Sequence, residues 1–244
     1  MPQAAFRHEV MLYDGPETFV DGAEPFIRTA VAAGEPIMVA VGAEKIDRLR
    51  SRLGEDADQV VFADMATLGA NPARIIPAWQ EFVDAHVGSG RALRGIGEPI
   101  WADRSPTELV ECQCHEALLN VAFAAAGDFH LICPYDTGQL GADVIAEAER
   151  SHPFVAGAAS DAYRGHDAVP QFAAPLPEPP ADAAEYEISR DALVDLRHVT
   201  AAEAERAGLS RQRTHDLVLA VHEVATNSVR HGGGRGVLRV WLEP

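Results

Sequence analysis

The sequence of 244 residues has few basic side chains and no long apolar run. No apolar stretch approaches the roughly 20 residues that a membrane-spanning helix needs, and residues 1–15 show no signal-peptide pattern. Lysine and arginine number 20 against 37 aspartates and glutamates, which gives a formal net charge of −17. Because so acidic a surface repels phosphate groups, we expect neither nucleic acid nor an anionic membrane as a partner.

Cysteine is also scarce, with only Cys112, Cys114 and Cys133 in the chain. An odd number of cysteines in a chain of this size indicates free thiols in a reducing compartment, and we expect a cytoplasmic protein. The sequence Cys112-Gln113-Cys114-His115 suggests a zinc site. However, helix residues two apart point about 200° away from each other, so the two cysteines are not expected to share one metal.

The first 168 residues alternate short apolar runs with longer helical patterns. The patterns predict strands over 9–13, 36–41, 59–63, 91–97 and 129–133, with helices over 17–33, 43–53, 73–87, 105–125 and 140–150. Pro77 is expected to start or kink the third helix, and Ser105 with Glu108 to form a capping box. The alternation predicts an α/β fold with a doubly wound, mostly parallel sheet, whose ligands bind beyond the carboxyl ends of the strands.

A P-loop is missing from this N-terminal part. The most similar segment, Gly42-Ala43-Glu44-Lys45, lacks the glycine-rich loop that binds phosphate groups. We therefore expect no nucleotide hydrolysis there.

The remaining residues predict a linker and a second, smaller domain. Residues 169–184 are proline-rich and aperiodic, as in a semi-rigid linker. A strand over 185–188, a helix over 190–207, a second helix from Ser210 to 231 and a final strand follow. The expected organisation is a sensor domain over 1–168, the linker, and a partial domain over 185–244.

The second of these helices carries the sequence HEVATNSVRHGGG. Glu223, Asn227 and His231 are spaced four apart, which places them on one helical face. An amide oxygen suits Mg²⁺, and a carboxylate can act as a general base. The opposite face, expected to bury against a sheet, carries Leu217, Val221, Val224 and Val229.

This pattern resembles the N-box of the GHKL ATPase superfamily, and it is most similar to the anti-sigma serine kinases. The resemblance implies that Asn227 holds the Mg²⁺ of ATP, that Glu223 is the general base and that His231 lies near the phosphates. The family's Asp-x-Gly-x-Gly turn and second glycine-rich loop do not occur before Pro244. We therefore expect an incomplete α/β-sandwich domain that binds ATP and Mg²⁺ weakly or not at all. Two alternatives are a phosphoacceptor box centred on His222 and a merely solvated helix face.

The N-terminal part resembles the MEDS domain, a sensory module with a RecA-like α/β fold. The segments that carry the resemblance are His8 with Tyr13, Arg94-x-x-Gly97-Glu98-x-x-Trp101, His115-Glu116-x-x-x-Asn120, Cys133-Pro134-Tyr135-Asp136 and His152-Pro153. The resemblance implies that a small ligand is bound by His8, Arg94, Glu98, Trp101, Glu116, Asn120, Tyr135 and Asp136.

The order of the elements supports part of this set. Glu98 and the Pro134-Tyr135-Asp136 segment are expected just past two strand ends, and Glu116 and Asn120 are expected to face the same crevice. Helix caps and surface ion pairs are the alternative for the three carboxylates. A structural role is the alternative for His8, Trp101 and Tyr135.

Together, these features predict a signal-transduction regulator in which a small-molecule sensor is coupled to an anti-sigma-type kinase domain. The implied partners are a small organic ligand, a sigma factor and an anti-sigma antagonist, with a homodimer as a further expectation. One alternative is a non-catalytic module for ligand binding and partner docking. Another is a small-molecule enzyme that uses Glu98, Glu116 and Asp136.

Overall fold

The computed structural model describes residues 6–86, 88–168 and 178–242. The chain folds as two units, residues 1–174 and 175–244. The predicted linker straddles this division, and its first nine residues lie outside the described ranges. Within those ranges, no helix combines the length and apolar character needed to span a membrane.

The first unit is built on a seven-stranded sheet in the order β3-β2-β4-β5-β1-β6-β7. All neighbouring strands are parallel except the final pair, β6 and β7. The doubly wound, mostly parallel sheet is thus confirmed. The strands are β1 (Arg7–Tyr13), β2 (Ile37–Val41), β3 (Val60–Asp64), β4 (Leu93–Gly97), β5 (Phe129–Asp136), β6 (Phe154–Val155) and β7 (Ala158–Ala159).

Helices cover both faces of this sheet. The helices are α1 (Gly15–Ala33), α2 (Ala43–Leu53), α3 (Met65–Leu68), α4 (Ile75–Asp84), α5 (Pro106–Ala122) and α6 (Ala142–Ser151). The alternation of side chains along β2 shows the two layers. Ile37, Val39 and Val41 pack with residues of α1 and α2, whereas Met38 and Ala40 join the cluster formed by α4, α5 and α6.

Two local signals define helix ends in this unit. Gly34 ends α1 in the left-handed conformation, with φ of 66°. Ser105 and Glu108 form the expected capping box at the start of α5. Pro77 behaves differently, because α4 begins at Ile75. Pro77 is therefore the third residue of the first turn, where no intrahelical N–H bond is needed, and it does not start the helix.

β5 is longer than predicted. It continues through Pro134 to Asp136, so the Pro134-Tyr135-Asp136 segment forms the end of the strand rather than the loop after it. Pairing of β5 with β4 ends at Ile132, whereas pairing with β1 continues to Asp136. Pro134 thus lies where the strand is paired on one side only, which a proline tolerates.

The second unit pairs β8 (Ala184–Ser189) with β9 (Arg235–Val240) in an antiparallel sheet. Helices α7 (Leu193–Arg206) and α8 (Arg211–His231) complete it. Its small core contains Ile188, Leu196 and Ala225, with Tyr186, Leu193, Val221, Val229 and Leu238 packed around them.

The predicted apolar face of α8 is partly wrong. Val221 and Val229 pack against the core, but Val224 is 65% exposed and Leu217 is 38% exposed. At 100° per residue, Val224 and Val229 lie on opposite sides of Val221. The core lies on the side of Ala225 and Val229, which leaves Val224 in solvent.

Candidate functional site

A cavity of about 380 Å³ opens at the carboxyl edge of the large sheet. From β2 the chain proceeds to β3 on one side, whereas from β4 it proceeds to β5 on the other. The adjacent ends of β2 and β4 therefore form the topological switch point at which open α/β sheets bind ligands. The lining residues are Pro16, Gly42, Ala43, Glu44, Lys45, Met65, Ala66, Glu98, Trp101, Asp103, Asp136 and Gln139.

A buried ion pair forms the floor of this cavity. Glu98, the residue after β4, is only 4% exposed. Lys45 Nζ, in the first turn of α2, lies 2.6 Å from each carboxylate oxygen of Glu98. The hydroxyl of Tyr13, at the end of β1, donates to Glu98 Oε1, and Lys45 donates to that hydroxyl oxygen at 2.5 Å. Three elements thus meet at one carboxylate.

Burial and the hydrogen bonds of this network shift the pKa values of the Glu98 carboxyl and the Tyr13 phenol. Burial raises the pKa of the Glu98 carboxyl, while Lys45 and Tyr13 oppose that rise. Burial, together with the neighbouring Glu98 charge, raises the pKa of the Tyr13 phenol well above its usual range. Tyr13 therefore stays protonated and acts as a hydrogen-bond donor.

The walls of the cavity combine acidic groups with an apolar surface. Asp136 accepts hydrogen bonds from the Gly138 amide at 3.0 Å and from Gln139 Nε2 at 2.9 Å. Trp101 and Met65 supply apolar surface. Among the lining residues that the structure describes, Lys45 is the only basic one, against Glu44, Glu98, Asp103 and Asp136. This charge balance disfavours an anionic ligand and favours a neutral or cationic one.

A second polar cluster lies deeper in the same unit. His8 Nε2 is 3.2 Å from Cys133 Sγ and 3.3 Å from Glu116 Oε2. His152 Nε2 is 2.9 Å from the same Glu116 oxygen. All four residues are buried. They come from β1, β5, α5 and the residue after α6.

The outer nitrogens of both imidazoles have their own partners. His8 Nδ1 faces Asn120 Oδ1 at 3.2 Å, and the Asn120 amide nitrogen donates to the Ser151 carbonyl at 2.7 Å. His152 Nδ1 lies 2.8 Å from the Ala148 carbonyl oxygen, to which it donates. These contacts place the ring protons on Nδ1 and turn the bare Nε2 atoms inward.

Burial, with the adjacent His152, lowers the pKa of His8 to about 4, so its ring is neutral at neutral pH. His8 and His152 lie close to Glu116 Oε2, but within the described ranges neither oxygen of Glu116 has a partner in hydrogen-bond geometry.

The predicted ligand residues thus divide into separate groups. Glu98, Trp101 and Asp136 line the cavity, but Glu116 and Asn120 do not share that crevice, contrary to expectation. They pack against His8, which lies five positions before Tyr13 on β1, roughly 16 Å along the strand.

Two further predicted ligand residues lie away from the cavity as well. Tyr135 is buried, with its ring edge-on to His152. Arg94 pairs with Glu35 at 2.6 Å, near the opposite edge of the sheet.

The sequence analysis assigned no site role to three members of the two clusters, Lys45, Cys133 and His152. Lys45 is 53 residues from its partner Glu98, and Cys133 is 125 residues from His8. Cys133 and His152 do occur in the segments that resemble the MEDS domain, and this was the one available signal.

A larger cavity of about 460 Å³ lies at the opposite edge of the sheet, beside the loops at 88–91 and 125–128. Its described lining includes no side chain from the two polar clusters. It is therefore not the candidate site.

In the second unit, Glu223, Asn227 and His231 are exposed on α8. A cavity of about 300 Å³ in this unit is lined by other residues, among them Thr200, Val221 and Trp241. His222, the alternative phosphoacceptor, has its Nδ1 buried. That burial disfavours phosphorylation at this atom.

These features define a two-part protein, with a doubly wound α/β unit and a smaller α/β unit that carries Glu223, Asn227 and His231 on one helix. Comparison with protein families matches residues 7–153 to MEDS, the MEthanogen/methylotroph, DcmR Sensory domain. Residues 187–240 match a histidine kinase-like ATPase domain. Comparison with curated proteins gives no match. Because the first match spans more than half of the chain, the protein belongs to the MEDS domain family.

Proposed function

We propose that this protein is a signalling regulator whose MEDS domain binds a small organic ligand in the cavity at the carboxyl edge of the sheet. The observation that carries the proposal is the convergence of Tyr13, Lys45 and Glu98 at the switch point between β2 and β4. Switch points bind ligands in this class of fold. A buried charged network is also costly to maintain for packing alone.

The lining indicates the chemistry of the ligand. Trp101 and Met65 offer apolar contacts, and the acidic groups accept hydrogen bonds. Both oxygens of Glu98 are engaged by Lys45, so the carboxylate is not free to act as a base. Glu116 is in the other cluster, which separates the three carboxylates of the enzyme alternative. A neutral or cationic compound with a short apolar body fits these features best.

A binding experiment with small probes tests this proposal. Short-chain alcohols, amines and carboxylates of equal length would be compared by ligand-observed NMR with the whole protein. We expect signals from alcohols or amines, weaker signals from the carboxylates, and loss of binding in Trp101→Ala. Gln80→Ala, which alters the cavity at the opposite edge, is the matched control. Binding that survives Trp101→Ala and is lost in Gln80→Ala would place the ligand site elsewhere.

The second unit is proposed to be an incomplete anti-sigma-type domain that binds Mg²⁺ and ATP weakly through α8. The alignment of Glu223, Asn227 and His231 on one exposed face supports this role. In this proposal, Asn227 ligates Mg²⁺, Glu223 is the general base and His231 lies near the phosphates. The proposed partners are a sigma factor and a serine-bearing antagonist.

Calorimetric titration with ATP, with and without Mg²⁺, tests the nucleotide site. We expect weak, Mg²⁺-dependent binding that falls about tenfold in Asn227→Ala, equivalent to about 1.4 kcal/mol. Gln212→Ala, an exposed amide on the same helix, should bind as the wild type does. If ATP does not bind, or if it binds equally well in Asn227→Ala, the second unit functions instead as a docking module.

Phosphotransfer tests the catalytic role. With a sigma factor and a serine-bearing antagonist present, labelled phosphate from ATP should reach the antagonist only slowly, because the unit is expected to bind ATP weakly. The transfer should be lost in Glu223→Gln. Equal transfer by this variant would remove Glu223 from the mechanism.

A further inference from the structure

We propose that the MEDS domain holds a single zinc ion between His8, Glu116, Cys133 and His152. Each residue offers one ligand atom, and these atoms all lie within 4.8 Å of one another. The site is distinct from the cavity at the carboxyl edge, which none of the four residues lines.

The spacing of the ligand atoms fits a tetrahedral ion. Zinc bonds of about 2.0–2.3 Å at tetrahedral angles separate the ligand atoms by roughly 3.4–3.6 Å. His8 Nε2 lies 3.2 Å from Cys133 Sγ and 3.3 Å from Glu116 Oε2. His152 Nε2 lies 2.9 Å from Glu116 Oε2. Movements of the side chains would open these three contacts to the coordination distances and would close the wider separations in the group, which reach no more than 4.8 Å.

The orientation of the imidazoles also favours an ion. In metal sites, a ligating histidine usually donates its other ring N–H to a carbonyl or a carboxylate. His152 does this to the Ala148 carbonyl, and His8 to the Asn120 amide oxygen. Both bare Nε2 atoms therefore point to the space in front of Glu116.

Glu116 is the second, independent indication. Its side chain is only 1% exposed, yet no residue that the structure describes lies in hydrogen-bond geometry to either of its oxygens. A buried carboxylate in this condition costs several kcal/mol. A dication bound through Oε2 would remove this cost. Oε1 would then face His115 Nδ1, which is 3.5 Å away and is also without a hydrogen bond.

The chemical types of the four ligand atoms indicate which metal ion would bind. Two imidazoles and a thiolate suit zinc, whereas Mg²⁺ and Ca²⁺ prefer oxygen ligands. Four protein ligands leave no open coordination position, which is typical of a structural zinc site rather than a catalytic one. The ion would join β1, β5, α5 and the end of α6. Two of these elements, β1 and β5, also carry Tyr13 and Asp136 of the cavity region.

Metal content and cobalt substitution test the proposal in the full chain. Protein purified without chelators should contain about one equivalent of zinc. After exchange with cobalt(II), it should show the visible bands of a tetrahedral site and a near-ultraviolet thiolate charge-transfer band. Cys133→Ser should lose the charge-transfer band. Cys112→Ser should keep it, because this equally buried thiol contacts the Pro99 carbonyl and not the cluster.

Several outcomes would overturn the assignment. They are no bound metal before or after incubation with zinc or cobalt, a cobalt spectrum without the thiolate band, and loss of that band in Cys112→Ser. One equivalent of iron instead of zinc would also refute it. The spectrum of the wild-type protein decides the question even where Cys133→Ser fails to fold.

Discussion

Replacing Lys45 by methionine should destabilise the MEDS domain more than any single charge removal on its surface. Lys45 is the only cation that contacts Glu98 among the described ion pairs, and the Glu98 side chain is only 5% exposed. Methionine keeps the apolar stem and removes the charge. Glu98 is then left as a buried carboxyl with Tyr13 as its remaining hydrogen-bond partner.

The structure allows the size of this effect to be worked out. Removing one partner of a buried ion pair costs about 3–5 kcal/mol. The Lys45 side chain is 20% exposed, so we expect the lower end, about 3 kcal/mol. The double variant Lys45→Met/Glu98→Gln removes both charges and should recover about 2 kcal/mol of that loss, because the glutamine oxygen still accepts from Tyr13.

The stability that Lys45→Met loses should depend on pH in a defined direction. Burial already raises the folded-state pKa of Glu98, and removal of Lys45 removes an interaction that opposes this rise. A raised pKa means that the folded state binds the proton more tightly than the unfolded state does. The contribution of Glu98 to stability is thus fully present below its unfolded pKa and is lost as the pH rises. The deficit of Lys45→Met should be largest at neutral pH, should shrink as the pH falls through the raised folded-state pKa of Glu98, and should be smallest below its unfolded pKa of about 4.3.

Urea unfolding at several pH values, with the double-mutant cycle at pH 7, measures these quantities. Arg48→Met on the same helix is the matched control. Arg48 pairs with Glu17 and Glu44, each 75% exposed, so its loss should cost less than about 1 kcal/mol. If Lys45→Met costs no more than Arg48→Met, or if its deficit grows in acid, the buried network described above is wrong.

Two further predictions concern packing and thiol reactivity. Gly97→Ala should cost about 1–3 kcal/mol in thermal or urea unfolding, because a Cβ there would lie 2.9 Å from the buried Trp79 ring; Gly42→Ala, which meets open space, should be nearly neutral. Iodoacetamide at pH 8 should label Cys114 before Cys112, because burial raises the pKa of the Cys112 thiol to about 11. Faster labelling of Cys112, or unfolding of Gly42→Ala at lower urea than Gly97→Ala, would contradict these assignments.

Much of the architecture follows from local sequence. The apolar run at 36–41 predicts a strand, and β2 lies there and is buried along its whole length. Ser105 forms the capping box of α5 with Glu108, which is three residues further along the chain. Both features depend on residues a few positions apart. The extension of β5 through Pro134 was missed, because the tolerance for proline there depends on which strands lie beside it.

The candidate sites also combine features that follow from local sequence with features that depend on the tertiary structure. The sequence alone determined that Glu223, Asn227 and His231 share one face of α8, because helical periodicity fixes the direction of side chains four residues apart. Only the tertiary structure decided that Lys45 meets Glu98, and that His8 meets Cys133 and His152. Such contacts depend on strand order and register, which local pattern does not specify. For this reason Glu98 and Glu116, which the sequence assigns to one crevice, lie in two different sites.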